Sequence, residues 1–263
     1  MNNRNVEKQP LPMLEICIDS VASALAAAAG GADRVELCAG LPEGGTTPSA
    51  GMIRAVRQAF PGGLMVIIRP RGYDFLYSEA EMEVMLHDIA TARDLGADGV
   101  VIGCLMADGQ VDAGRCQRLI AAAGPMDITF HRAFDMTRDL PEALEKIISL
   151  GISRVLSSGG QRDVPAGISR LAALVEQAGG RAVLMPGGGV TEMNLGEIVR
   201  ATGVREIHLS ARSPVSGGMT FFNPHCHMGA FTQPDEYRWR EADAAKIRLC
   251  KAALTTALAG RSA

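Results

Sequence analysis

The sequence predicts an α/β protein that folds as a single (β/α)8 TIM barrel. Three observations support this prediction. Short apolar segments alternate with helical segments along the whole chain, and such alternation favours parallel strands joined by right-handed crossovers. About eight of these units fit into 263 residues, which is the usual size of one barrel. No change of composition divides the chain, so we expect one domain over 13–262, after a disordered N-terminal lead over 1–12. An open doubly wound sheet is the alternative, because periodicity does not show closure.

The first four units carry clear start and stop signals. Ser20 and Ser49 stand where helix N-caps are expected, and acidic residues fill the first turn of the third helix. The third strand is a continuous apolar run, as in strands buried on both faces. The predicted strands are 14–19, 34–38, 64–69 and 99–103, and the predicted helices are 20–31, 49–60, 78–96 and 112–124.

The second half repeats the pattern up to residue 211. Pro141 stands near a helix start, where its missing N–H is harmless. After the eighth strand we expect a loop of some thirty residues. The predicted strands are 127–132, 154–160, 181–189 and 206–211, and the predicted helices are 140–151, 167–178, 194–202 and 243–260.

Composition argues against several classes of function. The net charge is −3 and the isoelectric point is about 6.0, so nothing recruits nucleic acid or an anionic membrane. No apolar run approaches the roughly 20 residues of a membrane span, and the polar N-terminus has no secretory core. Six cysteines without a CxxC pair indicate reduced thiols. We therefore expect a cytoplasmic protein.

Polar side chains share one face of several predicted strands. Because side chains alternate across a strand, Glu15 and Cys17 oppose the aliphatic residues of strand one. We expect this face to point into the barrel, towards the C-terminal mouth where barrel active sites lie. Buried carboxylates need partners, and a purely structural ion-pair plug is the alternative to a functional site. The candidates are Glu15, Cys17, Asp19, Glu36, Cys38, Arg69, Arg71, His131, Arg132 and His208.

Two glycine-rich turns follow strands six and seven. Glycine lets backbone N–H groups approach an anion, and the next helix N-terminus adds positive potential. They predict an anion site, with tight turns as the alternative reading. The residues are Arg71, Ser158, Gly159, Gly160, Gly187, Gly188 and Gly189. A third loop, 43–49, is either a connection or a lid. In the long last loop, His225, Cys226 and His227 are either copper or zinc ligands or a chance triplet.

Several segments resemble the CutC family, described as copper homeostasis proteins. They are LEICIDSVASALAAAAGGADRVELCAGLPEGGTTPS, RPRGYDFLYSEAE, GADGVVIGCL, FHRAFD, RVLSSGG and MPGGGV, in that order within 13–212. The resemblance implies a (β/α)8 barrel, a role in cytoplasmic Cu(I) handling, and assembly as a homodimer or higher homo-oligomer. The motifs EICIDS and VELC place the proposed copper ligands at Cys17 and Cys38. Tyr73 stands where a glycine is usual, and Ser157 where a threonine is usual.

Two functions follow. The first is Cu(I) binding through Cys17 and Cys38, since soft thiolates suit that ion. The second is an enzyme acting on a small anionic or phosphorylated metabolite. In that reading Glu15 or Glu36 is a general base, Arg69 and Arg71 orient the anion, and His131 or His208 transfers a proton.

Overall fold

Eight parallel strands form a nearly closed barrel with helices between them, so the predicted (β/α)8 fold is confirmed. The computed structural model describes residues 13–226, 228 and 236–259, and the predicted lead over 1–12 lies outside them. The hydrogen-bonded strand order is β7-β6-β5-β4-β3-β2-β1-β8. The strands are β1 (Met13–Ile18), β2 (Arg34–Leu37), β3 (Gly63–Ile67), β4 (Gly99–Ile102), β5 (Asp127–Phe130), β6 (Arg154–Ser157), β7 (Val183–Pro186) and β8 (Glu206–Leu209).

The helices begin at the residues that the sequence marks as caps. The Ser20, Ser49 and Ser78 side chains each accept a backbone N–H of the first helical turn, and Ser78 forms a capping box with Glu81. These caps fix where each strand-to-helix loop ends. The helices are α1 (Val21–Gly30), α2 (Ala50–Ala59), α3 (Glu79–Asp94), α4 (Ala113–Ala123), α5 (Leu140–Ser149), α6 (Val164–Ala178), α7 (Leu195–Thr202) and α8 (Ala244–Ala259).

Strand alternation divides the buried residues into two layers, as the sequence predicts. Leu14, Ile16 and Ile18 of β1 belong to the large core between strands and helices. The opposite face of the strands fills the barrel interior, where a smaller cluster holds Cys17, Cys38, Met65, Ile67 and Val101. The interior is therefore the layer in which polar and sulfur-bearing side chains meet.

The prediction of a long loop after strand eight is wrong in part. Residues Arg212–Ser216 (β9) and Arg238–Ala242 (β10) form an antiparallel two-stranded sheet. The Ala242 N–H donates to Ser23 Oγ, which joins the base of this hairpin to α1. Pro214 lies within β9, and proline is tolerated in strands at sheet edges, so the local pattern hides the strand.

The metal candidate at the tip of this hairpin is only partly described. His225 and Cys226 are exposed, and His227 lies outside the described residues. In the part of the chain that the structure covers, none of the helices is both long and apolar enough to cross a membrane.

Candidate functional site

Four charged side chains fill the lower end of the barrel interior. Arg34 pairs with both Glu15 and Glu206, and Arg154 Nε donates to Glu206 Oε2 at 2.7 Å. All four are buried, so each charge has the partner that burial requires. The sequence groups Glu15 and Glu36 with Arg69, Arg71, His131 and Arg132 as side chains that could satisfy one another, but Glu15 pairs instead with Arg34 and His208. Alternation would have found the true partners, because Arg34 shares the face of Glu36, and Glu206 that of His208.

His208 links this charged layer to the sulfur atoms above it. Its Nδ1 donates to Glu15 Oε1 at 2.7 Å, and its Nε2 lies 3.6 Å from Glu36 Oε2. Burial opposes charge on His208, but Glu36, Cys17 and Glu15 outweigh it and hold the pKa of His208 well above its usual value. Burial likewise opposes charge on Glu15, yet His208 and Arg34 lower the pKa of Glu15 to about 2.

Cys17 and Cys38 lie side by side above His208. Their Sγ atoms are 3.9 Å apart, and Cys38 Sγ lies 3.6 Å from Glu36 Oε2. Donor atoms of Cys17, Glu36 and Cys38 all fall within 4.8 Å of one another. Both thiols are free and buried. The predicted neighbours on β1 and β2 therefore do come together as one possible set of metal ligands.

The two thiols differ in acidity because the hydrogen bond between them shifts their pKa values in opposite directions. The hydrogen bond with Cys38, together with His208, lowers the pKa of Cys17 to about 5. The same contact with Cys17, with burial, raises the pKa of Cys38 well above its usual value. Burial raises the pKa of Glu36 to about 8. Cys17 is therefore the more acidic of the two thiols.

A cavity of about 670 Å³ opens above the thiols at the C-terminal mouth of the barrel. Cys17, Glu36, Cys38 and His208 line its floor, while most of its wall is aliphatic or aromatic. Several large apolar side chains at the mouth are exposed: Tyr73, Leu76, Met106 and Met136. The sulfur cluster is therefore reached from solvent through a space far larger than one metal ion.

Arg69 and His131 form part of the cavity wall. Arg69 Nη1 donates to the Glu43 and Gly45 carbonyls at 2.9 and 2.8 Å, and Nη2 to the Tyr73 carbonyl at 2.8 Å. It thereby fastens the loops after β2 and β3. Loop 43–49, a connection or a lid from sequence alone, is held down through these bonds. Burial, helped by the Arg69 charge, lowers the pKa of His131 to about 3, so its imidazole is neutral.

The glycine turn after β6 holds an anion that belongs to the chain itself. The Asp135 carboxylate accepts from the backbone N–H groups of Ser158 and Gly160, at 3.0 and 2.9 Å for the closest oxygens. Ser157 Oγ and Arg132 Nε also donate to it, at 2.6 and 2.8 Å. The Gly159 N–H donates instead to Ser157 Oγ. The N–H groups of this turn thus bind a carboxylate of the chain itself, that of Asp135, which the sequence does not single out.

The remaining predicted anion ligands lie elsewhere. Arg71 is held by Glu81 and Asp74 at 2.5 and 2.9 Å and is not part of the cavity wall. In the turn after β7, the Gly187 N–H donates to the Ser157 carbonyl. Gly188 packs near Arg132, and Gly189 near Asp163. The structure therefore does not gather Arg71 and the two turns into one site.

The floor of the cavity suits a soft metal ion. Half of the 3.9 Å sulfur separation is less than the usual metal–thiolate bond of about 2.3 Å, so one ion can bind both sulfur atoms. Thiolates favour Cu(I) and zinc over hard cations. In the described residues this is the one group of three His, Cys, Asp or Glu side chains with such spacing.

Comparison with known proteins gives consistent matches over most of the chain. The CutC family model matches residues 12–213. A human protein named copper homeostasis protein cutC homolog is 48% identical over 240 residues, covering 91% of this chain and 88% of the relative. A CutC family protein from Bacteroides thetaiotaomicron is 51% identical, covering 89% of this chain and 94% of the relative. A crystal structure of a CutC protein from Streptococcus agalactiae superposes with a TM-score of 0.72 at 33% identity, covering 75% of this chain and 98% of that one.

Proposed function

The chain belongs to the CutC family, and we propose that it binds Cu(I) through Cys17 and Cys38 as part of copper homeostasis. One observation carries the proposal: two free, buried thiols lie 3.9 Å apart on the floor of a cavity that opens to solvent. The names of the human and Streptococcus agalactiae relatives, which refer to copper homeostasis, support the choice of metal.

The ligand set favours Cu(I) over the other soft ion, zinc. Structural zinc sites take four nitrogen, sulfur or oxygen ligands, whereas the cluster offers two sulfur atoms and one carboxyl group. Glu36 is a hard ligand beside two soft ones, which suits neither a magnesium nor a calcium site. Two thiolates and few competing oxygens are the environment in which Cu(I) outcompetes harder cations.

The compartment in which the protein works follows from the chemistry of copper and thiols. Cu(I) and paired free thiols both require a reducing compartment, so we place the protein in the cytoplasm. Assembly as a homodimer or higher homo-oligomer remains a prediction from the family resemblance. The catalytic roles considered for Glu15, Glu36, Arg69, His131 and His208 also remain predictions, since the geometry supports metal binding at least as well.

A competition titration tests the proposal. Under anaerobic conditions, a chromogenic Cu(I) chelator competes with the wild-type protein, with the variant Cys17→Ser/Cys38→Ser, and with Cys104→Ser/Cys116→Ser as matched control. The control removes two buried cysteines of the outer core. We expect Cu(I) retention by the wild type and the control, and its loss in the Cys17/Cys38 variant. Equal retention in all three proteins would contradict the proposal.

A further inference from the structure

Two buried N–H groups on the cavity wall have no partner that meets hydrogen-bond geometry. They are Nε of Arg69 and Nε2 of His131. The Tyr77 hydroxyl interacts with Arg69 but supplies no counter-charge. His131 Nδ1 accepts the Ala133 N–H at 3.2 Å, so the proton of the neutral ring lies on Nε2 and makes that atom a donor. Buried polar groups are nearly always satisfied, and an orphan donor at a cavity indicates a ligand that supplies an acceptor.

Arg69 also lacks a counter-ion. The residue is only 5% exposed, and its three hydrogen bonds from Nη1 and Nη2 all go to backbone carbonyls. It forms no ion pair with any carboxylate in the described part of the chain, whereas the other buried arginines, Arg34 and Arg154, each pair with Glu206. A buried charge without a partner is costly. The missing group is therefore an anion.

The Arg69 and His131 side chains both lie close to the same aromatic ring. The Arg69 guanidinium carbon lies 5.0 Å from the centre of the Phe75 ring, and the His131 ring centre lies 5.0 Å from it. All three residues line the cavity. Phe75 belongs to the loop between β3 and α3, outside any helix or strand. The two side chains therefore flank one aromatic ring in the wall of one cavity.

The volume and the apolar wall of the cavity indicate what kind of molecule carries the anionic group. Its volume, about 670 Å³, lies in the range of small-molecule sites, and Leu41, Leu105 and Leu156 contribute an apolar wall. A phosphate is disfavoured, because Asp135 already occupies the glycine turn that would bind one. A carboxylate needs fewer donors than a phosphate, and Arg69 and His131 offer two unpartnered N–H groups.

We propose that this cavity binds a small organic carboxylate, with its charge at Arg69 and His131 and its apolar body against the leucine wall. The carboxylate binds at the wall of the same cavity whose floor carries Cys17 and Cys38, but it uses the Arg69 and His131 N–H groups and not the thiols, so the proposal does not depend on copper binding. It makes the mouth of the barrel a binding site for an organic molecule.

Calorimetric titration of the full-length, metal-free protein tests this proposal. The probes are a panel of aromatic and aliphatic monocarboxylates, among them hydrocinnamate, each paired with its neutral amide, together with phenyl phosphate. The variants are Arg69→Gln and His131→Phe, with Arg181→Gln, an exposed arginine paired with Glu145 on the outer helices, as matched control. Cys17→Ser/Cys38→Ser is included, so that failure of this site and failure of the copper site are distinguishable.

We expect at least one carboxylate to bind with about tenfold or greater preference over its amide, as for a charged hydrogen bond. Arg69→Gln and His131→Phe should each weaken that binding about tenfold or more. Arg181→Gln and Cys17→Ser/Cys38→Ser should bind the carboxylate as the wild type does. Absence of binding by every carboxylate, equal binding of acid and amide, or tighter binding of phenyl phosphate would each overturn the proposal. If Arg69→Gln does not fold, His131→Phe and the acid–amide comparison decide the outcome.

Discussion

Glu15 and His208 are register partners on the adjacent strands β1 and β8, and His208 Nδ1 donates to Glu15 Oε1 at 2.7 Å. The same carboxylate accepts from Arg34 of β2. Arg154 of β6 pairs with Glu206 of β8. The hydrogen-bonded sheet ends at β7 on one side and at β8 on the other, so this ion pair connects the two ends of the sheet across β7. The charged layer thus both closes the barrel electrostatically and supports the sulfur cluster above it.

Glu15→Gln should destabilise the barrel strongly. The substitution leaves Arg34 with Glu206 alone, which it shares with Arg154, and removes the carboxylate closest to His208. Breaking a buried ion pair costs about 3–5 kcal/mol in comparable cases. Urea unfolding of the wild type and the variant measures the difference. Glu79→Gln is the matched control, because Glu79 pairs with Arg115 and Arg118 on the surface and should leave the midpoint nearly unchanged. Equal effects of the two substitutions would contradict the structural role of the network.

His131 should make the protein less stable in mild acid. Its pKa is lowered from 6.5 to about 3 by burial and by Arg69, so below pH 6.5 the unfolded chain takes up a proton that the folded protein does not. The stability that the neutral ring contributes is complete above pH 6.5. It is lost as the pH falls from 6.5 towards 3, at about 1.4 kcal/mol per pH unit.

The measurement is the free energy of unfolding as a function of pH in this window, for the wild type and His131→Phe. The other titrating groups are common to both proteins, so the difference between the curves isolates His131. We expect this difference to change with pH in the stated direction. Parallel curves for His131→Phe would show that the ring is not held neutral.

Tyr73→Gly should stabilise the protein. Tyr73 has a φ of 66°, a left-handed conformation that costs a non-glycine residue about 1 kcal/mol or more, and its side chain is 90% exposed. The Arg69 bond to the Tyr73 carbonyl is a backbone contact and survives the substitution. Thermal unfolding of Tyr73→Gly and Tyr73→Ala separates the backbone strain at residue 73 from the contacts of the tyrosine ring. Both variants lose the ring, but only glycine relieves the strain of the left-handed conformation. A loss of stability in both variants would assign a packing role to the ring.

Asp135→Ala should expose an anion site that Asp135 now fills. The substitution frees the N–H groups of Ser158 and Gly160 and the Nε of Arg132, and losing these charged hydrogen bonds costs about 3 kcal/mol. Inorganic phosphate should then raise the melting temperature of the variant and leave the wild type unchanged. Asp108→Ala, at an exposed ion pair with Arg138, is the control. An equal phosphate effect on both variants would place the anion elsewhere.

Much of the fold and part of the site could be read from the sequence. Alternation placed Glu15, Cys17, Glu36 and Cys38 on the interior face, because a strand sends alternate side chains to opposite sides. Serine caps fixed the helix starts, since they satisfy free N–H groups there.

The partners of these residues could not be read in the same way. Glu15 meets Arg34 rather than Arg69 because the stagger between neighbouring strands decides which interior residues share a layer. Asp135 fills the β6 turn because the short 3₁₀ helix Arg132–Met136 carries it back over that turn. Such contacts depend on three-dimensional arrangement, and no local spacing records them.

X-ray absorption at the copper K-edge, on protein loaded with one equivalent of Cu(I) under anaerobic conditions, tests the central claim most directly. Two sulfur neighbours in the wild type, and none in Cys17→Ser/Cys38→Ser, is the predicted result. A first shell of nitrogen and oxygen in the wild type, or an unchanged sulfur shell in the variant, would contradict a copper site at these two cysteines.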